Sequence, residues 1–267
     1  MNIDETFEVL WQHYSEITPS SQKIKNLFES KGEQVMNDHI ALRTFNDPRV
    51  NIEKLAAPFI ALGYVPKDVY HFEQKKLKAQ HYEHPDASRP KVFISELILE
   101  KCSPELQKEI QVLLDSVEAN RFSEGLIFSG RIWGQPSFGL YEQLRAESEY
   151  AAWMYLYGFV VNHFTVSIND LKHFDCIESV NQFLKDNGYQ LNSSGGEIKG
   201  TPTDLLQQSS TLADRVLYDF TEGQYEVPSC YYEFAFRYPL HGKLFTGFIA
   251  QSADKIFEST DKSLQVK

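Results

Sequence analysis

The chain has 267 residues, 42% of them hydrophobic and 13% aromatic, which supplies a sizeable core and excludes a disordered or low-complexity protein. Its formal net charge of −11 opposes nucleic-acid phosphates and anionic membrane surfaces, both of which select basic footprints. No apolar run reaches the roughly 20 residues that cross a bilayer. The opening MNIDETFEVL is acidic, unlike a secretory signal, so the expected setting is the cytoplasm. Cys102, Cys176 and Cys230 are odd in number and lack CxxC spacing, which argues against a disulfide framework or a zinc ribbon.

In chain order, Phe7, Leu10 and Trp11 recur at helical spacing. Ser20 or Ser21 is placed to cap a second helix through Ile24, Leu27 and Phe28, ended by Gly32. A strand follows over 39–45. Residues 51–62 carry a helical stripe of Ile52, Leu55, Ala56, Phe59 and Ile60, stopped by Gly63, with Pro58 as a discordant residue. Short strands come next at 64–65, near 75–82 and at 91–99. Ser103 and Pro104 form an N-cap and first-turn pair for a helix to residue 117, and another helix covers 141–157. The pattern then starts again. A strand covers 163–168, and an amphipathic helix over 174–187 is stopped by Gly188. Strands follow near 189–191, 206–212, 216–220 and 230–237.

Two copies of a β-α-β-β-β unit are therefore expected. Each helix ends alike, in ALGYVPK and DNGYQLN, and each last strand carries an acid, in FISEL (93–97) and YYEFAF (231–236). The spacing predicts an α+β chain of one compact domain. Its parts are N-terminal helices (1–31), a first module (36–100), a helical insert (101–158), a second module (159–238) and a closing segment (239–267).

The leading strands read NDHIALRTFND and NHFTVSIND. Residues two apart on a strand share a face. His39, Ala41, Arg43 and Phe45 point one way, His163, Thr165 and Ser167 do likewise in the second copy, and Tyr231, Glu233, Ala235 and Arg237 share a face of the last strand. A carboxylate is rarely buried without a partner or a metal. His39, His163 and Glu233 have the composition of the facial triad of non-haem iron oxygenases, which leaves three metal positions open for substrate and dioxygen. The plainer reading of each histidine is a hydrogen-bonded core residue.

DHIALRTF, VNHFTV, YYEFAFR and the tail GFIAQSADKIFEST resemble the 2-oxoadipate dioxygenase/decarboxylase family, and the paired modules resemble the vicinal oxygen chelate fold, a curved sheet forming a cup around a metal. The resemblance implies an Fe(II) enzyme that converts 2-oxoadipate and dioxygen to D-2-hydroxyglutarate and carbon dioxide, a step of lysine breakdown. It implies His39, His163 and Glu233 as ligands and Arg43 as the anchor for the substrate carboxylate. Ser252 in the tail motif is a candidate pocket-closing, substrate-binding residue. The chain is short for the family, so contacts made by inserted segments elsewhere are absent or replaced.

Alternatives stay open at this point. Arg43 also fits a structural ion pair with an acid such as Glu96. Glu96, read as the repeat equivalent of Glu233, is expected beside Arg43 or His39, or as a fourth ligand if the chemistry is that of a zinc, nickel or manganese isomerase, lyase or hydrolase. Arg237 is expected next to Glu233, as an anion contact or a rim salt bridge. A non-catalytic cup holding a small molecule is a further possibility, lined by Tyr231, Phe45 and Phe93. His81 and His84 read as solvated hairpin residues, His71 and His241 as polar or turn residues, and His13 and His173 as helix residues without partners. GGEIKG lacks the P-loop Lys-Ser/Thr pair and reads as a loop. HExxH and GxSxG are both absent, which removes the main sequence support for a hydrolase.

Overall fold

Nine residues of alternating side chains make β1 (Asn37–Phe45), and its position in the middle of the main sheet explains why eight of them are buried. The structure is a computed structural model that describes residues 1–122 and 125–249. Around β1 the first module supplies α3 (Ile52–Ala61), β2 (Val65–Phe72), β3 (Leu77–Glu83) and β4 (Lys91–Leu97). The second supplies β5 (Val161–Ser167), α7 (Ile177–Asp186), β6 (Leu206–Ser210) and β9 (Glu233–Arg237). One curled sheet joins both, in the order β2-β3-β4-β1-β5-β9-β6.

Register makes the duplication explicit. In each copy the leading strand runs parallel to the last, β1 with β4 and β5 with β9, while β1 and β5 meet antiparallel at the centre. That central pair sets His39 opposite Thr165 and Ala41 opposite His163, and Thr165 lies opposite Glu233. Groups from both copies are thus brought together by backbone pairing, independent of loops.

The other face of the sheet is the core. Ile40, Leu42, Phe164, Val166 and Phe234 are fully or almost fully buried beneath α1 (Ile3–Ile17), α2 (Pro19–Ser30) and α7. Trp11 and Tyr14 meet Phe164 at ring distances of 5.0 and 5.1 Å, and Phe28 reaches Phe234 and Phe183. α2 begins earlier than the serines suggested. Thr18 is its N-cap and Pro19 takes the first turn, where the missing N–H is not needed, so Ser20 and Ser21 lie inside. Ser103 does cap α4 (Pro104–Asp115), accepting a bond from Leu106 N.

Three expectations are revised. Residues 141–157 form two helices, α5 (Phe138–Glu147) and α6 (Glu149–Tyr157), broken at Ser148, whose hydroxyl caps α6 at Ala151 N. Residues 216–220 do not join the main sheet. They belong to a separate hairpin, β7 (Arg215–Phe220) and β8 (Gly223–Pro228), which packs on the helical insert through Tyr225 stacked on Phe138 at 3.7 Å and the Tyr218 hydroxyl on the Leu156 carbonyl. The expected strand near 189–191 is reduced to a single bridge, Leu191 to Thr211. Among the described residues no helix is long and apolar enough to cross a membrane.

Candidate metal centre

Strand alternation turns His39, His163 and Glu233 onto the concave face, where all three are buried. One possible ligand atom from each lies within 4.8 Å of the others. His39 Nε2 is 3.6 Å from Glu233 Oε1, and His163 Nε2 is 3.2 Å from Glu233 Oε2. Bonds of about 2.0–2.2 Å to one ion, set at right angles, put ligand atoms about 3 Å apart, so this spacing fits a shared cation.

The tautomers fit it too. His39 Nδ1 meets Asp38 Oδ1 at 2.7 Å and His163 Nδ1 meets Asn162 Oδ1 at 3.1 Å. An acceptor at Nδ1 holds the ring proton there and leaves the Nε2 lone pair directed into the cup. Lone pairs on two imidazoles then face a carboxylate, an arrangement that repels unless a proton or a cation intervenes. Among the described residues, Glu233 Oε2 accepts no hydrogen bond. Burial pushes the Glu233 carboxyl up to about 8, opposed by the 2.5 Å bond that Gln208 Nε2 donates to Oε1. Burial lowers both imidazoles, His163 strongly with help from His39 and Arg43, which keeps them neutral. A neutral pair of nitrogens and a carboxylate that needs a positive partner suit a divalent metal. Thr165 Oγ1, 3.1 Å from His39 Nε2, is the nearest competing hydrogen bond.

Arg43 lies on the same floor, buried between the rings of Tyr150 and Trp153, each 5.0 Å from its guanidinium carbon. Tyr150 is itself fixed, its hydroxyl within hydrogen-bond distance of the Thr44 amide at 3.0 Å and the Ser95 carbonyl at 2.8 Å. Four residues along β1 set the Arg43 and His39 Cα atoms about 13 Å apart. Arg237 lies at the opposite end. It grips both oxygens of Asp38, at 2.6 and 2.9 Å, and so stands behind His39. Burial alone would raise the Asp38 carboxyl, yet Arg237 and the His39 bond outweigh it and hold it well below its usual range.

Glu96 is not brought to the site. It pairs in register with Thr44, which faces the helices, and its Oε2 accepts the Ile52 amide at 3.0 Å at the start of α3 while Lys78 approaches Oε1 at 3.5 Å. The register position matching Glu233 in the first copy is Phe93, opposite Ala41. The two acids look equivalent because each lies on the last strand of its copy, whereas register sets Glu96 beside Thr44 and Glu233 beside Thr165, on opposite faces of the sheet. Ser252 lies outside the described residues.

His81 also departs from expectation. It is buried on β3, opposite Phe93, with Nδ1 3.0 Å from the Tyr70 hydroxyl and Nε2 3.2 Å from Glu83. His173 sits in the loop before α7, bonded to Glu33. Asp38, Asn162, Gln208 and Phe248 were not singled out from the sequence. A signal existed for the first two, since His39 and His163 each directly follow a short acceptor side chain. Phe248 stands edge-on to His39 at 4.8 Å and meets Phe93 and His81, a contact no local pattern announces.

Comparison with known proteins agrees with this geometry. A family profile described as 2-oxoadipate dioxygenase/decarboxylase matches residues 4–127 and 111–244. The chloroplastic 2-oxoadipate dioxygenase/decarboxylase of Arabidopsis thaliana is 36% identical over 277 residues, covering 92% of this chain and 74% of the plant protein. A Shewanella frigidimarina structure, provisionally labelled a hydrolase, is 54% identical with a TM-score of 0.88 over 93% of this chain and 98% of that one. The hydroxyglutarate synthase of Oryza sativa, solved in complex with 2-oxoadipate, gives a TM-score of 0.91 at 34% identity over 98% of this chain and 92% of that one. By sequence and by fold, the chain belongs to the 2-oxoadipate dioxygenase/decarboxylase family.

Proposed function

We propose that this protein oxidatively decarboxylates 2-oxoadipate, or a 2-oxo dicarboxylic acid of similar length, giving D-2-hydroxyglutarate and carbon dioxide on an Fe(II) held by His39, His163 and Glu233. The equation balances with one dioxygen: six substrate carbons become five plus carbon dioxide, and both oxygen atoms are accounted for in the products. Bound iron supplies activation of dioxygen and a template for the 2-oxo acid. The observation that carries the reading is one floor holding three convergent ligand groups and, farther along β1, a buried arginine.

This chain's side chains divide the remaining work. Arg43 pairs with the distal carboxylate, its plane held by Tyr150 and Trp153 so that a bidentate contact costs little ordering. Asp38 and Asn162 hold the two imidazoles in the ligand tautomer. Arg237 neutralises Asp38. Phe248 and Phe93 exclude water from the His39 side, and Ser252 is proposed as a closing contact from its tail motif alone. With Glu96 turned toward α3, the set has three protein ligands and open positions, the pattern that favours oxygenase chemistry over a four-ligand isomerase or hydrolase site.

Oxygen-electrode measurements on protein loaded anaerobically with Fe(II) test the proposal. Adding 2-oxoadipate is expected to consume one dioxygen per substrate. Iron-loaded protein that binds the acid and consumes no oxygen would refute it.

A further inference from the structure

Arg237, at the end of β9, uses both sides of its guanidinium. Nε and Nη2 hold the two Asp38 oxygens, and Asp38 holds His39 Nδ1. Nη1 turns the other way and donates to the Phe245 and Gly247 carbonyls at 3.0 and 2.8 Å. Those two bonds draw residues 245–248 across the cup, where the Phe248 ring rests 4.8 Å from His39 and 5.2 Å from the Arg237 guanidinium carbon. Its amide is anchored at the far side, donating to the Tyr70 hydroxyl at 3.2 Å, which in turn meets His81. His163, by contrast, rests on the neutral Asn162 amide and the Tyr231 ring.

We propose that Arg237 is a positioning residue that couples the covering segment 245–248 to the orientation and donor strength of His39. The proposal rests on the metal reading above. A carboxylate hydrogen-bonded to a ligand imidazole raises its basicity and fixes its plane, and the carboxylate keeps its own aim only while its bidentate partner stays in place. One guanidinium is that partner for Asp38 and also the clasp for the segment. Anything that loosens the segment therefore loosens Asp38, and anything that draws His39 into a fixed position tightens the segment. Such coupling is reciprocal by linkage.

The test uses Co(II) as probe, read by affinity, by its visible spectrum and by hydrogen exchange of the 245–248 amides. Arg237→Gln is expected to weaken Co(II) binding about 10- to 100-fold, alter the spectrum and speed exchange at Phe248. Co(II) is expected to slow that exchange in the native protein and to lose the effect in the variant. Arg237→Lys, whose single ammonium cannot span both partners, is expected to fail as a rescue. Asp38→Asn carries the test of donor strength should Arg237→Gln not fold, and it too should weaken Co(II). Native Co(II) affinity and spectrum in these variants, or exchange at 245–248 indifferent to Co(II), would overturn the coupling. His39→Ala separates the two claims: retained Co(II) affinity there would bring down the metal centre itself, and the coupling with it.

Discussion

Glu233 concentrates the electrostatics of the site. Its carboxyl is fully buried and raised from the usual 4.5 to about 8, so in the metal-free fold it carries a proton that a metal must displace. Apparent metal affinity is therefore expected to fall about tenfold for each pH unit below 8, measurable by competitive chelation between pH 6 and 8. A pH-independent affinity would contradict a protonated Glu233 in the metal-free fold. In metal-free protein the sign reverses: a folded-state value above the unfolded one stabilises at low pH, and that contribution is lost as pH rises toward 8. At Arg43, truncation to Ala is expected to leave metal binding intact while weakening 2-oxoadipate about 30-fold or more, the scale for removing one partner of a buried charge pair, about 2–5 kcal/mol. Calorimetry on the anaerobic metal-loaded protein checks it, and unchanged affinity would return Arg43 to a structural role. His39, His163 and Glu233 were legible because alternation placed costly polar groups on apolar strands. Glu96 misled because its face depends on register with β1, which a single sequence does not contain.

Among the elements, the leading strands and the stop of each module's helix could be read locally, since their signals are alternation and glycine. The β7–β8 hairpin could not. Its strands look like any other, and only the stacking of Tyr225 on Phe138 and the Tyr218 contact with Leu156 assign it to the helical insert. Gly158, at the end of α6, has φ +63, and a Cβ there would lie 2.4 Å from the Gly130 carbonyl oxygen. Gly158→Ala is accordingly expected to lower stability by more than about 1 kcal/mol, read as a fall in the denaturation midpoint. On the opposite face of the sheet, Phe164 is held between Trp11 and Tyr14. Phe164→Ala should cost about 3–5 kcal/mol, with the cup chemistry changing less than the midpoint.

At the scale of the whole molecule, neither copy of the repeat carries a complete site. The first gives His39 and Arg43, and the second gives His163, Glu233 and Arg237 to the same floor through the β1–β5 pairing. The pseudo-symmetry is broken at the site: Phe93 takes the place matching Glu233, leaving three groups that could hold a metal. Metal binding to the folded state alone is expected to raise the midpoint, by about 4 kcal/mol of stability at a thousandfold excess over Kd. Duplication was visible in the paired motifs, whereas closure over the mouth by Phe248 was not, because it joins the last described residues to five separate strands. The most direct measurement is turnover of 2-oxoadipate under ¹⁸O₂ by Fe(II)-loaded protein, followed by mass spectrometry. Both labelled atoms are expected in D-2-hydroxyglutarate, one in the hydroxyl and one in the newly formed carboxylate, with unlabelled carbon dioxide released. Product formed without label would contradict the dioxygenase account.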